Sequence, residues 1–84
     1  MSVVLFGAVW CSYCTTFRPI VESVCAELDV KFEYLDVDEF YEVSGVYGIK
    51  KVPSMVVFPE FDEETVFQGS CTREELVLRL KNLQ

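Results

Sequence analysis

Three features of this chain predict an α/β fold in the order β-α-β-α-β-β-α, with three helices on a mixed four-stranded sheet. An unbroken apolar run over residues 2 to 10 gives way to apolar positions at helical spacing from Phe17 to Leu28. A segment rich in β-branched and aromatic residues then follows at Val30 to Asp38. A strand, a helix of that length and a second strand make a parallel, right-handed βαβ unit. Two further β-rich runs, Val52 to Phe58 and Thr65 to Gln68, are separated only by the acidic segment Pro59 to Glu64, which is short enough for an antiparallel hairpin. Finally, Thr72-x-x-Glu75 precedes Leu76, Val77, Leu80 and Leu83 and reads as a capping box opening a last amphipathic helix.

Taken in order, the first strand is continuously apolar, as expected of a strand buried on both faces in the middle of a sheet. The first helix runs from about Cys11 to Leu28. Its apolar residues Phe17, Ile20, Val21, Val24, Cys25 and Leu28 follow the i, i+3, i+4, i+7, i+8, i+11 series of one helix face. Pro19 inside it deletes one backbone hydrogen bond and crowds the preceding turn, so a kink is expected there. After the second strand, Asp38 is placed to cap a short helix through Tyr47, with Gly48 supplying the left-handed residue that ends it. Pro53 at the mouth of the third strand belongs on an edge or at a special turn. The acidic segment before the fourth strand is most simply a solvated turn.

At 84 residues the chain is expected to form one domain, residues 1–84, burying roughly 60% of its unfolded surface. An apolar content of 51% with four glycines and three prolines excludes a disordered or fibrous chain. Seven basic against fourteen acidic residues give a formal charge of −7, which repels phosphate backbones and anionic headgroups. Nucleic acid and membrane are therefore excluded as expected partners. The first ten residues lack a positive n-region and a small-residue cleavage site, and no stretch approaches the ~18 apolar residues of a membrane span. The expectation is a cytoplasmic protein starting at Met1 and acting as a monomer. With no histidine, the chain also lacks the commonest metal ligand and acid–base group.

The chemistry centres on Trp10-Cys11-Ser12-Tyr13-Cys14, where strand gives way to helix. A helix beginning at Cys11 or Ser12 leaves its first four N–H groups unpaired and points its positive end at the first sulfur, favouring the thiolate. Cys11 is then the nucleophile. Cys14, three positions on, lies within disulfide reach, further in and less exposed, as the resolving thiol. In a chain without a signal sequence, such a pair is more often catalytic or metal-binding than a structural staple. A four-thiolate metal site would need a second pair, and Cys25 and Cys71, forty-six residues apart, are a poor one. Cys25 falls on the apolar stripe and reads as a small core residue. Cys71 lies just after the last strand, as a loop cysteine or a regulatory or glutathionylated thiol. Lys50 and Lys51, the only adjacent basic pair, read as solvated.

These motifs together resemble the thioredoxin and glutaredoxin superfamily along the whole chain. Trp-Cys-x-x-Cys followed by Pro19 is similar to thioredoxins, as are Tyr47-Gly48-Ile49-x-x-Val52-Pro53-Ser54 and Gly69 sixteen residues beyond Pro53. The resemblance implies a minimal thioredoxin fold and a cis Val52–Pro53 peptide facing the site. It implies substrate contacts at Trp10, Ser12, Tyr13, Val52, Pro53 and Gly69, with Trp10, Tyr13 and Pro53 as an apolar rim and Val52-Pro53 backbone pairing with an extended substrate. No bound cofactor is implied, only a redox-active Cys11–Cys14 disulfide.

The chain departs from thioredoxins in three ways. It begins at the active-site strand, without the strand and helix that thioredoxins carry before it, which gives a glutaredoxin-sized frame. It has Ser12-Tyr13 between the cysteines, where Tyr13 is similar to the glutaredoxin Cys-Pro-Tyr-Cys. It places Leu5 and Tyr34 where thioredoxins have a buried aspartate and a lysine, so the proton relay of that pair is absent or replaced. Glutaredoxins in turn follow the last strand with Gly-Gly and an acidic residue, where this chain has Gly69-Ser70-Cys71-Thr72.

The implied function is a dithiol–disulfide oxidoreductase that reduces protein disulfides, with ribonucleotide reductase as one recipient and thioredoxin reductase or glutathione as electron donor. The rival is a binding module that keeps the fold as a scaffold. Intact Cys11, Cys14 and Pro53 argue against it, since a retired site has no chemical need for all three.

Overall fold

Strand β1 (Ser2–Gly7) is the centre of a four-stranded sheet in a computed structural model covering residues 1–84. It pairs in parallel with β2 (Lys31–Asp36) and antiparallel with β3 (Ser54–Phe58), and β4 (Thr65–Gln68) adds antiparallel to β3, giving the order β2-β1-β3-β4. The parallel pair requires a crossover, and helix α1 (Ser12–Glu27) supplies it. The fold class is thus the expected one.

Side chains alternate across the sheet, so β1 serves two layers. Val3 and Leu5 join Met55 and Val57 of β3 against Phe17, Val21, Val24 and Cys25 of α1 and Leu76 and Leu80 of helix α3 (Arg73–Leu83) in the main core. On the other face Phe6 meets Tyr47 at 6.4 Å between ring centroids, and Tyr47 meets Phe58 edge-on at 5.7 Å. Tyr47 is the C-cap of helix α2 (Tyr41–Val46), so the end of that helix meets the sheet on that side. Burying about eleven largely apolar side chains in one cluster, at up to roughly 1.5–3 kcal/mol each, is the main stabilising term. No helix is long and apolar enough to cross a membrane.

Several boundaries differ from the sequence expectation for local reasons. β1 ends at Gly7, not Trp10: the Cys11 N–H donates to the Ala8 carbonyl at 3.1 Å, closing a turn that leaves Val9 89% and Trp10 69% exposed. β2 ends at Asp36, whose Oδ1 accepts from the N–H groups of Asp38 (2.8 Å) and Glu39 (3.3 Å) and turns the chain. Asp38 does not cap α2. The N-cap is Phe40, with no side-chain bond, because Asp38 faces Trp10. β3 starts at Ser54, after a bend over residues 51–53. Helix α1 continues through Pro19, which is exposed.

Other local expectations are met. Gly48 takes φ +66°, which any residue with a Cβ adopts at a cost. The capping box on α3 is complete: Glu75 N–H donates to Thr72 Oγ1 at 3.1 Å, and Thr72 N–H to Glu75 Oε1 at 3.2 Å.

Candidate active site

The turn after β1 and the first turn of α1 bring Cys11, Cys14 and Ala8 into a small buried cluster of their own, with Val37 and Val52 packed on it. Cys11 is the N-cap of α1. In place of the usual hydroxyl or carboxylate oxygen, its sulfur accepts the Cys14 N–H at 3.2 Å. The N-terminal end of a 16-residue helix, where the free N–H groups lie, therefore sits at Cys11 Sγ. On its other side, Cys11 Sγ donates to the Val52 carbonyl at 3.8 Å. The Val52–Pro53 peptide is cis, and the Pro53 carbonyl accepts from Gly69 N–H at 2.7 Å, which ties the loop leaving β4 to the site.

Burial separates the two thiols. Cys11 retains 8% of its surface and Cys14 only 1%. Loss of solvent, and next the hydrogen bond with Cys11, push the Cys14 thiol up to about 11 from an ordinary 9.0. Both are free thiols here, as are Cys25 and Cys71. The four do not converge. Cys25 is fully buried in the main core, where burial raises its thiol to about 11, and Cys71 packs against that same core. Cys71 is therefore not part of the cluster around the dithiol, and its thiol too is raised, first by burial.

Of the remaining expected site residues, Trp10, Ser12 and Tyr13 are exposed around the dithiol. Pro53 is buried, so it lies beneath the surface instead of forming its rim. The residues that the sequence reading assigned elsewhere or passed over lie on the β2 side. Asp38 Oδ2 accepts from Trp10 Nε1 at 2.9 Å and so orients the indole. Leu5 and Tyr34 stand side by side in the β1–β2 register, and Arg18 holds its guanidinium 4.1 Å above the Tyr34 ring. The departure of Leu5 and Tyr34 from the thioredoxin pattern marked that pair, but nothing in the sequence signalled the Arg18 contact. Trp10–Asp38 had no signal, since both residues had plausible local uses.

A four-stranded mixed sheet with three helices, and a dithiol capping the helix that leaves its central strand, defines a thioredoxin-fold dithiol protein. The comparisons agree. The family model described as thioredoxin matches residues 1–82. The chain is 29% identical over 79 residues to a thioredoxin of Rickettsia bellii, spanning 92% of this chain and 75% of that one. It is 33% identical over 73 residues to a thioredoxin of Bacillus subtilis, spanning 84% and 70%. Among solved structures, a single-site mutant of thioredoxin from Halobacterium salinarum superposes with a TM-score of 0.89 at 26% identity, over 98% of this chain and 73% of that one. Thioredoxin 1 of Thermosipho africanus has the same fold, with a TM-score of 0.87 at 19% identity over 98% and 92%. The chain belongs to the thioredoxin family, and it is a thiol–disulfide oxidoreductase.

Proposed function

We propose that this oxidoreductase reduces disulfides in other proteins, with Cys11 as nucleophile and Cys14 as resolving thiol. The observation that carries the reading is Cys11 Sγ as the N-cap of α1, accepting the Cys14 N–H at 3.2 Å, with Cys14 buried behind it. The Cys11 thiolate attacks one sulfur of a substrate disulfide, forming a Cys11–substrate bond and expelling the other sulfur as a thiolate. Cys14 then gives up its proton and attacks Cys11 Sγ. The Cys11–Cys14 bond forms, the mixed disulfide breaks, and the second substrate sulfur leaves reduced. Two electrons move and no bound cofactor is required.

Trp10, Ser12 and Tyr13, with Val52 and Gly69 across the dithiol, form the surface on which an extended substrate segment rests. Exposed Val9, Tyr41 and Val46 add apolar area on the same chain. A net charge of −7 leaves few cationic partners for the two carboxylates of glutathione, so thioredoxin reductase is the electron donor in this reading. The working compartment is the cytoplasm, and ribonucleotide reductase is one recipient by family likeness.

The test is insulin reduction driven by dithiothreitol, with donor specificity read separately. The wild type should accelerate insulin precipitation and Cys11→Ser should not; equal rates would leave only a binding role. In coupled assays, thioredoxin reductase with NADPH should support faster turnover than glutathione with glutathione reductase. An excess of about tenfold in the opposite direction would make the protein functionally a glutaredoxin.

A further inference from the structure

The reaction leaves one proton unassigned. Cys14 must lose it as it attacks, and burial holds it on the sulfur. No carboxylate is buried beside the thiols, since the only buried polar residues are Ser44 and Ser54. A different arrangement stands on the neighbouring strand.

Tyr34 and Asp36 are two apart on β2, so both side chains leave the sheet on the face covered by α1. Their β1 partners in register are Leu5 and Gly7. The Tyr34 side chain leans along the strand to the level of Gly7, the partner of Asp36. A Cβ on Gly7 would meet Tyr34 Oη first and would lie 2.8 Å from Cε1 and Cζ. Only glycine leaves room for the phenol there. The next residue is Ala8, which packs directly on Cys11 and Cys14. From the helix side, Arg18 lies one turn beyond Cys14 on the same face and stacks 4.1 Å over the Tyr34 ring, fixing the ring beneath that turn. Tyr34 Oη has no protein hydrogen-bond partner in the dithiol form, so it is free to exchange one.

The charged and titratable groups that Tyr34 faces are Cys14, Arg18 and Cys11 from α1 and Asp36 from its own strand. β1 contributes only Leu5 and Gly7, neither of which titrates. Cys14 and Asp36 both act on the Tyr34 phenol, and Asp36 acts on the Cys14 thiol, as expected of groups around one pocket.

We infer that Tyr34 and Asp36 form the proton-transfer route for Cys14: the phenol oxygen accepts the Cys14 proton as its own proton passes to the Asp36 carboxylate. This rests on Cys14 as the resolving thiol. The bonds balance: Cys14 S–H and Cys11–substrate S–S break, Cys11–Cys14 S–S forms, the substrate sulfur leaves as thiolate, and the proton ends on Asp36, half-buried and able to return it to water.

Ellman's reagent resolves the two steps. One equivalent added to the reduced protein releases one thionitrobenzoate when Cys11 attacks and a second when Cys14 displaces Cys11's adduct. Tyr34→Phe, which keeps the ring and its packing, should leave the first release unchanged. It should slow the second by at least about tenfold at pH 7, a gap that closes as pH approaches 11 and Cys14 ionises unaided. Asp36→Asn, which retains an oxygen for the Asp38 and Glu39 N–H groups, should do the same. That sign is decisive. As a bystander charge, Asp36 only holds the proton on Cys14, so its removal would speed the second release. A second release in either folded variant that is as fast as wild type, faster, or slowed equally at every pH overturns the inference. Cys14→Ser is the control for the reading beneath it. It should release one equivalent only, and a second equivalent there would remove Cys14, and this route with it, from the mechanism.

Discussion

Cys11 accepts a backbone N–H at 3.2 Å and keeps 8% of its surface, whereas Cys14 keeps 1% and its thiol stands near 11. A thiol at about 11 is ionised to only about one part in ten thousand at pH 7, so an alkylating reagent that needs a thiolate discriminates sharply. Iodoacetamide at neutral pH should therefore label Cys11 at least about tenfold faster than Cys14 or Cys25 in the reduced protein, with peptide mapping by mass spectrometry as the readout. Buried Cys25 leads to a separate expectation. Its folded thiol lies above its ordinary value, so its contribution to stability is complete below about pH 9 and is lost as pH rises towards about 11. At ~1.4 kcal/mol per pH unit, the loss is on the order of 2 kcal/mol for this group. Urea unfolding of the reduced protein between pH 8 and 11 should show that fall, and Cys25→Val should lessen it. A flat profile would mean that the thiol is not held neutral. At this scale the sequence was informative where a residue type has one physical use: two thiols at helix spacing, and a proline at a strand mouth. It was silent on Gly7, because a glycine's need for space depends on a tyrosine twenty-seven residues away.

Elements were legible where periodicity and termination signals agree. Helix α3 starts at Arg73, behind a Thr72 cap with both reciprocal bonds made. Thr72→Ala should cost about 1 kcal/mol and lower the melting temperature by roughly 4–8 °C, measured by calorimetry. No change would mean that the cap adds nothing once Leu76 and Leu80 are docked. The end of β1 was less legible. Hydropathy scores Ala8, Val9 and Trp10 like the strand before them, yet Val9 and Trp10 face solvent. An apolar residue kept for a surface and one kept for a core look alike until pairing with β2 and β3 shows where the ladder stops. The same ladder explains Asp36 and Asp38. Either aspartate could take the turn after β2, but β1 runs out at Gly7, so the residue opposite it, Asp36, becomes the one that turns the chain. Asp38 is then left to meet Trp10.

For the molecule as a whole, element order and the parallel pairing of β1 with β2 were readable because few topologies connect these seven elements without a crossing. The placement of the dithiol follows from that topology. The central strand aims its C-terminal end at the start of α1, and β3 delivers Val52 and Pro53 to the same edge, so Cys11 stands between a helix N-terminus and the Val52 carbonyl. Residues far apart in sequence that meet only across this edge, Trp10 with Asp38 and Tyr34 with Gly7, could not be paired beforehand, since no local pattern links them. The central claim is that Cys11 attacks and Cys14 resolves. It is tested most directly by incubating Cys14→Ser with a disulfide-containing protein such as insulin, then mapping any covalent adduct by non-reducing electrophoresis and mass spectrometry. The account predicts a stable mixed disulfide through Cys11, abolished by dithiothreitol and absent from the wild type. An adduct joined through Cys25 or Cys71, or none at all, would contradict it.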